Sequence, residues 1–344
     1  MLVGTRSNGT DPEVVDTSTA PIPLLPEAVL PASLSPHSLD LWGRRLGQSP
    51  LQLFPLALGS GSFGRSADDR AAADIIDRFI DLGGNFLDAT GSHPDGRSEL
   101  IVGKWMRNRR RRPGILVGTT IGNHHDLSKD PTRVITRAVE GALERMRRDQ
   151  LDLLSVHLNG RAQAEEVLVA VDDLVHSGKV RFVAANAPTA DQLIEARIIA
   201  AQAGVAPLVA VQADYNLVHR AGYEPELSRV VALQGSGFMP RQPLAGGLLA
   251  SGQHSRQDLA RLRLCIASTL PPKRWPQLTS ALASIGADLG VTAPAVALAW
   301  LLTRPGVTAP IVSASSPHHV DDAMVAVRIQ LTRQQTCELD RLSR

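Results

Sequence analysis

A closed (β/α)8 barrel is the architecture predicted for this chain, and three observations predict it. Short β-branched or leucine-rich runs alternate with longer amphipathic segments, eight such runs occur, and the gaps between them hold readable helix starts. Eight strand-helix units in about 290 residues favour a closed ring over an open doubly wound sheet. Residues 1–38 precede them. Rich in Pro, Ser and Thr, and broken at PIPLLPEAVLPASLSP, they are expected to form a disordered arm, with the barrel spanning 39–344.

In chain order the predicted strands are Leu56 to Leu58, Phe86 to Leu87, Ile115 to Thr119, Leu151 to Val156, Val180 to Ala184, Val209 to Gln212, Gly237 to Met239 and Ala309 to Val312. The first is followed by GSGSFG, Gly59 to Gly64, which satisfies the spacing of dinucleotide-binding turns. In such turns the helix opens inside the glycine run, whereas here Ser66 with Asp69 reads as a capping box beyond it, so the run is taken as a plain turn. Asp130 before Pro131, Thr189 with Gln192 and Ser316 before Pro317 mark further helix starts. Arg107 to Arg112 fall at the expected end of the second helix, where cations complement the dipole and face solvent. The last helix, around Cys337 to Leu342, reads as packing alone.

Composition narrows the partners. Lys and Arg total 36 against 34 Asp and Glu, a net charge of +2 that argues for neither nucleic acid nor an anionic membrane. Cys265 and Cys337, far apart and without metal-ligand spacing, suit a reducing compartment. The start, MLVGTRSNGTDPEVV, lacks a basic and apolar leader, and VTAPAVALAWLL falls short of the ~20 residues of a membrane span. A cytoplasmic enzyme on a small molecule is the expectation; nothing in the sequence speaks to oligomeric state.

Chemistry is expected where strands end, because barrel enzymes build their sites at the C-terminal face. Asp88 closes one strand in NFLDAT, His93 follows in the loop, and His157 closes another strand in LDLLSVH. An acid and two imidazoles can serve proton transfer. Asp88 and two histidines could hold a first-row metal, but His93, His124, His125, His157, His219, His254, His318 and His319 are scattered and show no ligand spacing, so no metal is expected.

From about residue 41 onward the segments RRLGQSPLQLFPLALGSGSFG, NFLDAT, GRSE, LDLLSVH, SGKVRF, VQADYNL, QPLAGGLL and ALAWLLTRPGVTAPIVSASSP, in this order, resemble the aldo-keto reductase family. The resemblance implies a barrel holding NADP or NAD at its C-terminal face and a set of Asp, Tyr, Lys and His around the carbonyl that receives hydride. Asp88 and His157 match that set, but the Tyr position holds His93 and the Lys position holds Thr120. The joint change is self-consistent: a phenol with a pKa of about 10 needs an ammonium neighbour to give up its proton, whereas an imidazolium does not. His93 is therefore expected to be the general acid or base, Asp88 to orient and charge it, and His157 to bind the reacting oxygen.

The same resemblance implies cofactor contacts at Asn186, Gln212, Arg241, Leu244, Gly246, Ser313, Ser315, Ser316 and His319. Gln212 stands in the carboxamide-binding place. Asn186-Ala187 replace the usual Ser-Asn pair, and Arg241-Gln242 replace a Tyr-Ser pair, removing the ring beneath the nicotinamide. No Lys or Arg lies between Ser313 and Ala323, so a strong preference for NADP requires His318, His319 or a distant Arg to hold its extra phosphate. Three functions remain open: a divergent oxidoreductase acting on a carbonyl or activated double bond in a biosynthetic step; a lyase, isomerase or cyclase using Asp88, His93 and His157; and a silent auxiliary subunit.

Overall fold

The computed structural model describes residues 43–89, 96–108, 114–121, 130–158, 161–250 and 274–344. The N-terminal arm, His93, His124, His125, His254, Cys265 and Arg109 to Arg112 lie outside those residues.

A two-stranded antiparallel hairpin comes first, β1 (Arg44–Arg45) and β2 (Gln52–Leu53). Gly47 in its turn has φ of +54°, and a Cβ there would stand 2.2 Å from the Val209 carbonyl oxygen and 2.6 Å from the Gly237 nitrogen. Only glycine permits both the dihedral and the approach. Leu46, Leu51 and Leu53 join Ala57, Phe86, Leu153, Ala184, Ala210, Met239 and Ile311 in an inner apolar cluster. The hairpin thus plugs the end where the strands begin, leaving the opposite end for a site. No alternation marks these two-residue strands, and the sequence did not predict them.

Eight parallel strands form the barrel: β3 (Ala57–Gly59), β4 (Phe86–Asp88), β5 (Leu116–Ile121), β6 (Leu151–His157), β7 (Val180–Asn186), β8 (Leu208–Asp214), β9 (Gly237–Arg241) and β10 (Ile311–Ser313), with β10 beside β3. The ring is drawn together where the Thr308 amide donates to the Phe238 carbonyl at 2.7 Å, beside a parallel bridge between Phe238 and Val307. All eight predicted strands form. Most run one or two residues further than expected, so that Asp88, His157, Asn186, Arg241 and Ser313 are each the last residue of a strand.

Among the described residues the helices are α1 (Asp69–Asp81), α2 (Arg97–Asn108), α3 (Pro131–Met146), α4 (Arg161–His176), α5 (Ala190–Ala203), α6 (Glu226–Gln234), α7 (Arg274–Leu289), α8 (Ala293–Leu302), α9 (Pro317–Val325) and α10 (Arg333–Leu342). In α1 the buried Ala72, Ile75, Ile76 and Phe79 recur at helical spacing, which seats one face on the strands. Asp130, Thr189 and Ser316 cap α3, α5 and α9 as expected. Ser66 does not cap α1. Its amide is tied back to the Ser62 carbonyl in a turn, and Asp68 takes the role, accepting from the Arg70 and Ala71 amides at 3.1 and 2.8 Å. No single described helix is long and apolar enough to cross a membrane.

The last helix does more than pack. Asp340 on α10 accepts from Trp300 Nε1 at 3.1 Å, Arg220 Nη1 at 3.0 Å and Arg304 Nη1 at 3.2 Å, tying the loop after β8 to α8 and the C-terminus. Charge patterning along one short helix could not disclose partners 36 and 120 residues away.

Candidate active site

Strand alternation sets the site. Leu153, Ala184, Ala210 and Met239 belong to the inner cluster, so the residues an even number of positions later, His157, Asn186, Gln212 and Arg241, share their inward face at the top of the barrel. The register puts His157 opposite Asn186 and Asn186 opposite Gln212. Asp88, on β4, is buried.

These groups meet through hydrogen bonds. Arg241 Nη1 donates to Asn186 Oδ1 at 2.8 Å, and Asn186 Nδ2 lies 2.8 Å from His157 Nε2. Thr120 Oγ1, in the place of the expected lysine, donates to Gln212 Oε1 at a long 3.4 Å. Burial, and after it the Arg241 charge, hold the His157 imidazole below its ordinary pKa, so the ring is neutral at neutral pH. Behind the strand ends, Thr119 Oγ1 donates to Glu99 at 3.1 Å, and Arg145 Nε donates to the other Glu99 oxygen at 2.6 Å.

Above this layer opens a cleft of about 770 Å³. Of the residues singled out in the sequence, Asp88, Arg241, Leu244, Gly246, Ser313, Ser315 and His319 line it. His157, Asn186 and Gln212 do not, and form the hydrogen-bonded row beside it. Ser316 caps α9 instead. The turn Gly59–Ser62, read as bland, supplies one wall, and Ser62 Oγ donates to the Ala314 carbonyl at 2.5 Å, binding that wall to the end of β10. Helix α1 starts well after Gly64, so the glycine run is not a dinucleotide-type helix start.

The sequence reading missed Arg65, which follows that turn and lines the cleft together with Ser315, His318 and His319. Its signal was the basic residue directly after the glycine run. Three non-glycine residues near the cleft, Ala187, Gln242 and Ala245, have φ near +50°, a conformation that costs an L-residue of order 1–3 kcal/mol and tends to gather at functional sites. Neither tyrosine replaces the missing phenol. Burial first, and then Glu224, raise the pKa of both Tyr215 and Tyr223, and Tyr223 stacks on Phe238 at 3.8 Å in the core. Among the described residues no group of three or more His, Cys, Asp or Glu side chains is disposed to hold a metal.

Donors and cations along the cleft fit an anionic dinucleotide. Arg65, Arg241, Ser315 and His319 can meet phosphate oxygens, and the start of α9 adds its dipole. The carboxylate among them at the α9 side, Asp322, has His318 Nε2 at 3.7 Å.

The model of the Aldo/keto reductase family matches residues 55–344. An uncharacterized oxidoreductase, YrpG, of Bacillus subtilis (strain 168) is 30% identical over 303 residues, 84% of this chain and 92% of that one. Norsolorinic acid reductase of Aspergillus flavus is 25% identical over 332 residues, 91% of this chain and 84% of the relative. Aldo-keto reductase dtxS3 of Metarhizium robertsii is 27% identical over 306 residues, covering 80% and 82%. With the barrel, the C-terminal cleft and these relatives in agreement, the chain belongs to the aldo/keto reductase family.

Proposed function

We propose that this chain moves hydride between NADP(H) or NAD(H) and a carbonyl or activated double bond of a small organic molecule. One observation carries the reading: a single cleft brings the buried Asp88 and Arg241 from strand ends together with Arg65 and Ser315. That combination suits a reacting carbonyl beside a phosphate-bearing ligand. The relative named for reducing norsolorinic acid supports an organic small molecule as substrate. Among the described residues no Phe, Tyr or Trp lines the cleft, which suits one dedicated biosynthetic step.

The cofactor, when bound, supplies the hydride. The chain's own groups bind and orient: Arg65, Ser315 and His319 toward phosphate, and Leu244, Gly246 and Ser313 along the wall, with Gln212 beside the cleft in the carboxamide-binding place and Ser316 and Asn186 holding their neighbours in position. Arg65 is the distant arginine that the β10–α9 segment lacks. In this reading His93 passes the proton to the reacting oxygen, and the Asp88 charge favours its imidazolium.

Tryptophan-fluorescence titration with NADH and NADPH tests the reading. Saturable quenching by at least one is expected. No quenching by either removes the hydride-transfer reading, and turnover without any dinucleotide replaces it with proton-transfer chemistry such as dehydration or isomerisation.

A further inference from the structure

We infer that Arg241 and Asn186 are positioning residues that lock His157 as its Nδ1–H tautomer. The catalytic meaning rests on the hydride-transfer reading, but the tautomer is measurable with neither cofactor nor substrate present.

A guanidinium has donors only, so the Asn186 atom 2.8 Å from Arg241 Nη1 must be the amide oxygen. That fixes the amide the other way round at its far end, where Nδ2, also only a donor, stands 2.8 Å from His157 Nε2. Two N–H groups cannot face each other at that distance. His157 Nε2 must accept, and the single proton of the neutral ring sits on Nδ1. Asn186 is 1% exposed, which leaves its amide no solvent alternative to these two partners. Turning the amide over would oppose its NH2 to the guanidinium, so Arg241 holds the choice from 55 residues beyond Asn186.

Burial first, and then the Arg241 charge at the end of β9, favour the neutral ring. They do so against Asp88 on β4 and Asp214 on β8, the other charged strand-end residues among those described, while Thr120, Asn186 and Gln212 are neutral. Any hydrogen bond His157 gives to a reacting oxygen must therefore come from Nδ1, and Nε2 cannot donate while the relay holds. This revises the simple picture in which the strand-end histidine binds the oxygen by whichever nitrogen faces it.

The test is a long-range ¹H–¹⁵N correlation spectrum of the full chain labelled with ¹⁵N-histidine, with His157→Gln identifying the signals. The expected pattern is an acceptor-type Nε2 and a protonated Nδ1. In Asn186→Ala, which keeps the Arg241 charge, the ratio of Nδ1–H to Nε2–H is expected to fall by roughly tenfold, the worth of one hydrogen bond. Arg241→Met should move it the same way. A protonated Nε2 in the unmodified chain, or an unchanged Nδ1–H signal in Asn186→Ala with unaltered circular dichroism, overturns the proposal. If Arg241→Met does not fold, Asn186→Ala decides alone. Nucleotide titration of the same samples reports separately on the hydride-transfer reading.

Discussion

Arg220, in the loop after β8, and Arg241, at the end of β9, lie in neighbouring parts of the barrel's C-terminal end and are treated in opposite ways. Arg220 is surrounded by acceptors, two of them of opposite charge: Glu224 at 2.9 Å, Asp340 at 3.0 Å, and the neutral Ser343 hydroxyl at 2.6 Å. Its guanidinium also lies 5.1 Å from the Trp300 ring centre. Arg241 meets a neutral amide and, among the described residues, no carboxylate. A carboxylate pair neutralises a cation and rigidifies its loop; an amide orients the cation and leaves its charge to act on the cleft and on His157. The first arrangement holds the C-terminus to the barrel, and the second equips the site.

The contrast implies that substitutions in the site alter chemistry and binding, whereas those in the Arg220 cluster alter stability. The largest effect expected is in His93→Ala, where loss of general acid catalysis lowers kcat by roughly 10²- to 10⁴-fold, about 3 to 5 kcal/mol. Unchanged turnover in that variant removes His93 from the chemistry. Next, Arg220→Met leaves Glu224 and Asp340 without their shared cation and is expected to cost about 2 to 4 kcal/mol in urea unfolding, discounted because both carboxylates are partly exposed. The folded fraction should keep its kcat, and a loss of kcat with no loss of stability would reverse the roles assigned to the two arginines.

A smaller effect is expected at Arg65. Replacing it with Ala should raise the Kd for NADPH about tenfold, roughly 1.4 kcal/mol, with NADH affected far less. Equal weakening of both would put Arg65 against the shared phosphates instead. The smallest effect is in pH dependence. His157 has a lowered pKa in the fold, so between the ordinary value of 6.5 and the folded value the unfolded chain binds the extra proton. Its contribution to stability is full above 6.5 and is lost as pH falls through that window. Subtracting the urea stability of His157→Gln from that of the unmodified chain, pH by pH, should expose this slope, and a flat difference would contradict it.

Much of the fold was legible because strand and helix periodicity are local. Each βα unit carries its own alternation and often its own cap, as at Thr189 with Gln192 and Asp130 before Pro131. The misplaced cap at Ser66 shows the limit: two residues of the right type lay near one helix start, and only the turn that consumes the Ser66 amide excludes it in favour of Asp68. The hairpin around Gly47 was illegible for a related reason, since its stabilising contacts are with β8 and β9, far along the chain.

By itself the sequence determined the alternation of elements, the family and the residue types standing at strand ends, because each depends on a few neighbouring positions. Tertiary structure decided which of those end groups touch. His157 and Asn186 are 29 residues apart, and Asn186 and Arg241 are 55 apart, so their partnership exists only once the ring brings β6, β7 and β9 together. Arg65 likewise joins the cleft through the turn bound to the end of β10. A hydrogen bond is settled within a few tenths of an ångström, a scale that spacing along a chain does not encode and a closed barrel does.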